Sequence, residues 1–328
     1  MGGTITTALL AIVGGVLGVF GFFWVLNLAT ERVGGAFERV VKPWVFFGPA
    51  LATVTFFLVY PLFSTVRASF YGDRFVDGVR PFVGLDNYRR VLATAETWVA
   101  LGNNVQWIVI VPAGAVVFGL AVAVLADRLS PRAESVTKSI IFLPMAISFV
   151  GAAAIWGLIY GIQPPSRNQT GLLNAILVRF GADPVAWLEN LATNDLALMV
   201  IMIWLQAGFA MVLLSAALKG VPTETIEAAR IDGATEVQAF FRVIVPQISS
   251  TILVVLTTIL ILVLKVFDIV RVTTNGRNDT QVIANYFYTF FVGGNYGSAG
   301  VVVVLLVLMT TPFMVVNIRR FREQEAER

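Results

Sequence analysis

Lys265 and Asp268 are the only charged residues inside the long apolar stretches of this 328-residue chain. A charge at the centre of a membrane helix costs roughly 2.5–3.5 kcal/mol, so both must face protein, water or each other. Their i, i+3 spacing permits a local pair. Such a pair could hydrogen-bond a polar solute in a water-filled cavity, or it could snorkel to the outer surface and brace the bundle. Trp204 and Gln206, together with Asn285, Tyr286 and Tyr288, supply the other groups that a path for an uncharged, hydroxyl-rich solute requires: aromatic faces and amides. Packing and interfacial-belt roles compete for each of them, because Trp and Tyr favour membrane interfaces.

A second group of residues lies in a polar segment, LKGVPTETIEAARIDGATEVQAFFRVIVPQI, at 218–248. Pro222 and Thr223 make a helix start, and Glu224 and Glu227 fall in the first turns, where the positive end of the helix dipole favours carboxylates. Asp232-Gly233 breaks that helix. Thr235 followed by Gln238 fits a capping box that opens a second helix, on which Val237, Phe240, Phe241 and Ile244 form an apolar stripe. Pro246 redirects the chain towards the next apolar stretch. Small Ala228 and Ala229 would let the first helix approach a partner closely, Glu227 could pair with a basic or amide group there, and Gly233 supplies a sharp turn or an ordinary helix C-cap.

Much other chemistry is excluded. With no Cys and no His, the chain holds no thiol nucleophile, disulfide, Cys/His zinc site or Ser-His relay. Of its four lysines only Lys138 precedes a Ser or Thr, and it lacks the glycines of a phosphate-cradling loop, so no nucleotide site is expected in this chain. The net charge of +3 is small and scattered, which argues against nucleic acid as a partner.

The elements that hold these residues follow from hydropathy. The chain is 57% apolar and only 13% charged, with a mean hydropathy of +0.82, short of the roughly one-quarter charge of a soluble domain. An all-α, polytopic membrane bundle is expected, with seven spans near 8–28, 44–64, 105–126, 139–160, 196–218, 249–270 and 299–318. The first reads as a retained helix, since its leader MGGTITT carries no Lys or Arg. The organisation expected is an N-terminal helix with its linker at 1–43, a six-helix core at 44–318 that includes the loop at 219–248, and a tail at 319–328. Thirteen of the 23 Lys and Arg lie on the side that carries this loop and the C-terminus, against nine in the longer segments opposite. The positive-inside rule therefore puts the loop and C-terminus in the cytoplasm and the N-terminus outside.

The string Glu227-Ala228-Ala229, then Gly233, then Val243-Ile244-Val245-Pro246, resembles the EAA loop of bacterial ABC importer permeases, and EAARIDGA is similar to that of the carbohydrate-uptake branch. Val243 and Val245 stand where Ile and Leu are more usual, a change that nearly keeps volume and apolarity. FVGLDNYRRVL at 82–92, FLPMAISFVGAAAIW at 142–156 and LKVFDIVRVTTNG at 264–276 resemble maltose-type permeases, while GLLNAILV at 171–178 and PVAWL at 184–188 look most like the alpha-glucoside branch. The large periplasmic insertion of the enteric maltose permease is missing, so shorter loops must meet the binding protein.

The resemblance implies a type I importer fold and a coupling role for Glu227, Ala228, Ala229, Asp232, Gly233 and Pro246. It also implies a sugar-facing place for Lys265. The implied partners are a second homologous permease, two cytoplasmic ATPase subunits that bind the ATP and Mg, an extracytoplasmic sugar-binding protein, the sugar and membrane lipid. The competing class is an ion- or proton-coupled secondary transporter, which would need several carboxylates along the spans or an inverted repeat with broken helices. A membrane enzyme is the third class, and the chain carries little equipment for it.

Overall fold

The computed structural model describes residues 2–33, 35–75, 78–164 and 166–326. Among them the chain is helical, with one isolated antiparallel bridge between Tyr71 and Phe82. Two compact units divide at 67/68, and the division expected at 43/44 falls inside a helix.

The first unit is a helical hairpin of α1 (Gly2–Val33) and α2 (Gly35–Val54), the latter continuing through a π turn (Thr55–Val59) into α3 (Tyr60–Ala68). Phe23 stacks on Phe46 at 5.7 Å, and Lys42 lies 3.9 Å from Glu31.

In the second unit, α4 (Asp86–Ala93) precedes the long α5 (Ala95–Ala126). Ser130-Pro131 then starts α6 (Pro131–Phe142), with proline where a helix needs no N–H. After α7 (Phe149–Ile159) and α8 (Leu172–Arg179) comes α9 (Asn194–Lys219), followed by the short α10 (Thr223–Ile231), α11 (Glu236–Ala239) and α12 (Val245–Gln247). The chain finishes with α13 (Ser249–Val263), α14 (Asp268–Thr273), α15 (Ile283–Val292) and α16 (Tyr296–Ala326). The main core forms where α5 lies along α9, and Trp107, Val111, Leu198, Leu205 and Met211 are fully buried there with Val255 and Ile259 of α13. Val91, Ala100, Ile283, Val301 and Val302 make a second cluster between α4, α5, α15 and α16.

The expected count of seven spans is not confirmed. Among the described residues four helical stretches, Lys42–Ala68, Ala95–Ala126, Asn194–Lys219 and Tyr296–Val316, are long and apolar enough to cross a membrane, and two bent pairs raise the number to six. In the first expected span, the apolar stretch found is Val13–Leu28. The fourth is not one helix: Pro131–Ala146 and Phe149–Ile159 meet at 107°. A 3-10 turn over Leu143–Ala146 ends the first arm, Ile147 is extended, and Ser148 caps the second by accepting the Gly151 N–H at 3.1 Å. The sixth ends at Val263 rather than 270. At the other end of the chain, α16 runs on through 319–326 of the expected tail, and the last two positions lie outside the described residues.

Candidate functional site

The segment after α9 takes the form its residues dictate. Pro222 is extended, at ψ 130°, and opens α10 with Glu224 in its first turn. The helix closes when the Gly233 N–H donates to the Arg230 carbonyl and the Ala234 N–H to the Ala229 carbonyl, both at 3.0 Å. Those two bonds form a Schellman motif, which requires the left-handed φ of +86° that Gly233 supplies. The Thr235 hydroxyl then accepts the Gln238 N–H at 3.3 Å while the Gln238 side chain accepts the Thr235 N–H at 2.9 Å, a complete capping box. Arg230 grips both oxygens of Glu236 at 2.8 and 3.1 Å, and that carboxylate raises the arginine's pKa further.

α10 offers its outer face to solvent. Glu227, Ala228, Asp232 and Gly233 are exposed, Ala229 is half-buried, and Ile231 is 86% exposed. Ile231 thus leaves an aliphatic side chain open beside a carboxylate and an alanine. The stripe expected on the second helix divides: Phe240 and Ile244 are half-buried, while Val237 and Phe241 remain exposed. The cause is a π turn at Phe240–Ile244, which alters the angular advance of a regular helix. Pro246 sits exposed in the first turn of α12, just before the chain bends by 69° into α13.

The seven residues expected to meet a solute fall in separate places. Lys265 is exposed in the link after α13, and Asp268 is half-buried in the first turn of α14, where the dipole favours it. No ion pair joins them among the described residues, because the helix that would give them i, i+3 spacing has already ended. Trp204 is half-buried and edge-on to Trp156 at 5.7 Å, which continues to Tyr160 at 5.2 Å and Trp187 at 6.2 Å. Gln206 is buried, and two positions from Trp204 it does not share its face. Asn285 and Tyr286 are also buried: the Asn285 amide donates to Gln281 Oε1 at 2.7 Å, and the Tyr286 ring is tilted against Phe290 at 4.7 Å. Tyr288 lies under the Arg271 guanidinium at 4.6 Å.

The structure adds a second built loop, at 274–282, that the sequence reading passed over. Asn275, Asn278 and Asp279 all take left-handed φ, between 54° and 59°, the conformation that Asn and Asp tolerate best after glycine. The buried amide of Asn103 donates to the carbonyls of Asp279 at 2.5 Å and Gln281 at 2.9 Å, and Asn194 donates to the Asn278 carbonyl at 2.5 Å. Asn104 accepts the Ile283 N–H at 2.8 Å. The signal was available: amides inside apolar helices must find partners. A cavity of about 390 Å³ beside this loop is lined by Glu96, Arg271, Arg277, Gln281 and Tyr288. Among the described residues no three carboxylates converge as a metal site.

Comparison with known proteins places the chain in a family. The family described as "Binding-protein-dependent transport system inner membrane component" matches residues 115–322. The alpha-glucoside transport system permease protein AglF of Rhizobium meliloti is 45% identical over 95% of this chain and 96% of its own length. The osmoprotective compounds uptake permease protein GgtC of Synechocystis is 49% identical over 84% of this chain and 98% of its own. A crystal structure of a bacterial ABC transporter that imports the polysaccharide alginate superposes with a TM-score of 0.71 at 22% identity, over 87% of this chain and 98% of that one, a likeness of fold.

Proposed function

The chain belongs to the binding-protein-dependent transport system inner membrane components, and from that membership we propose that it is the permease subunit of an ATP-driven sugar importer, with an alpha-glucoside or related oligosaccharide as cargo. It is a non-catalytic permease of the inner membrane. An external binding protein delivers the sugar. Two cytoplasmic ATPase subunits, which hold the ATP and Mg, close on ATP binding and pull α10. This chain and a second, homologous permease then turn their shared cavity outward, and hydrolysis resets it.

The observation that carries the coupling part of this reading is the open face of α10, closed at Gly233 and presenting Glu227, Ala228 and Ile231 exposed among the described residues. Ala229 and Asp232 shape that face and its end, and Pro246 sets the exit. Lys265, Asp268 and Trp204 are the side chains proposed for the sugar's path, with Gln206, Asn285 and Tyr286 supporting them from within the protein. The excess of Lys and Arg supports a cytoplasmic loop and C-terminus and an external N-terminus. The N-terminal hairpin is proposed as an accessory to the permease core.

The name of the Synechocystis relative favours a second cargo, an osmoprotective compound. An ion- or proton-coupled transporter is not favoured, because the family works with a binding protein. The test is uptake by the complete reconstituted complex in liposomes. Uptake of an alpha-glucoside that needs both ATP and the loaded binding protein supports the proposal, competition by osmoprotective solutes supports the second cargo, and robust uptake by this chain alone without ATP contradicts both.

A further inference from the structure

Four charges and a hydroxyl converge where three helices end beside the α10 loop. Glu134 stands in the first turn of α6, where the dipole favours an anion, and Lys219 in the last turn of α9, where it favours a cation. Glu134 Oε1 accepts from Lys219 Nζ at 2.5 Å and from Lys138 Nζ at 2.5 Å. Lys138 also donates to the buried hydroxyl of Ser215 on α9, and Lys219 lies 3.9 Å from Asp127 at the end of α5. Two cations face two anions, and the side chains of Glu134 and Lys138 are only 15% and 20% exposed. Removing the Glu134 charge would leave two ammonium groups repelling each other between α6 and α9.

The cluster occupies a mechanical position. Only Gly220, Val221 and Pro222 separate Lys219 from α10. At its far end α6 touches α9 backbone to backbone: a Cβ on Gly208 would stand 2.5 Å from the Ile141 carbonyl oxygen and 2.7 Å from Phe142 Cα. Beyond the 107° bend, α7 returns to α9 through Trp156 on Trp204. The bent pair is thus held to α9 at three levels, and the ion cluster is the level nearest the loop.

We propose that Glu134 is a positioning residue that ties the helix leading into the ATPase-facing loop to the bent α6–α7 pair, so that a displacement of α10 moves α9 and both arms together. This rests on the reading that α10 engages an ATPase. When Glu134 is neutral, α10 still follows the ATPase, but α6–α7 slips against α9.

The test uses the complete complex in liposomes, measuring ATP hydrolysed per sugar taken up. Glu134→Gln and Lys219→Gln are each expected to keep ATPase stimulation by the loaded binding protein within about twofold while uptake falls about five- to tenfold, the scale of an allosteric coupling. The double neutral variant should be no worse than the worse single one, because the two residues act through each other. The variant Glu134→Asp with Lys219→Arg, which keeps each charge at the helix end that favours it, should hold the ratio near the wild-type value. An unchanged ratio in Glu134→Gln overturns the proposal, as does a charge-keeping variant that assembles but stays uncoupled. Loss of assembly in Glu134→Gln and the charge-keeping variant alike makes Glu134 a folding residue and overturns it too. A wild-type complex lacking ATP-dependent uptake would instead sink the transport reading beneath it.

Discussion

Two connections in this chain use left-handed residues to turn between helices, and they are built oppositely. The loop at 218–248 closes itself with a Schellman glycine and a capping box, each of these bonds spanning a few residues, and leaves Ile231 and Val237 open. The loop at 274–282 buries Thr280, Gln281 and Val282 and is held from afar by Asn103, Asn104 and Asn194. The difference teaches what each can do. A segment whose backbone bonds are satisfied locally can keep its shape while offering a face to another protein, whereas one held by distant amides is tied to the core.

That contrast can be broken by substitution, ranked by the effect on the stability of this chain. Asn103→Ala should be the most damaging, at about 2–4 kcal/mol, because two carbonyls lose the donor they share in a buried place. A large fall in unfolding temperature in detergent is expected, and a fall as small as that of a surface variant would show the loop at 274–282 to be self-sufficient. Gly233→Val should follow at about 1–2 kcal/mol. Its Cβ would meet nothing within 4 Å, so the cost is backbone strain alone, and uptake and ATPase coupling should drop with it. Thr235→Ala removes a cap worth about 1 kcal/mol. Faster amide exchange over 236–239, with exchange at 280–283 unchanged, would confirm that the loop is locally held. Ile231→Glu should alter stability by less than about 0.5 kcal/mol, as an exposed change does. Yet ATPase subunits should be recovered with the purified variant about tenfold less well, since burying an unpaired carboxylate at an interface is costly. Undiminished recovery would remove Ile231 from the docking face.

The same contrast explains what the sequence disclosed. The Pro222 start, the Gly233 stop and the Thr235–Gln238 box are short-range chemistry and were legible residue by residue, as were the apolar lengths of α5 and α9. The bend at Ile147–Ser148 was not, because FLPMAISF carries no charge, and hydropathy reports length without direction. The early end of α13 separated Lys265 from Asp268 for the same reason. Hydropathy was equally silent about neighbours: the best apolar window in Lys42–Ala68 has none of its residues buried in this chain, against 61% for Asn194–Lys219. The asparagine brace needed distances across some 80 to 180 positions, which no local pattern contains.

The absence of cysteine makes the decisive measurement direct, because one introduced thiol is the chain's only one. Ala228→Cys, on the open face of α10, and Phe180→Cys, 84% exposed after α8, should be treated in the assembled complex with a short bifunctional thiol-reactive cross-linker. A covalent adduct with an ATPase subunit is expected from position 228, with a yield that changes with ATP, and none from position 180. No ATPase adduct at 228, or one at 180 instead, would contradict the assignment of α10 as the face through which ATP hydrolysis moves this permease.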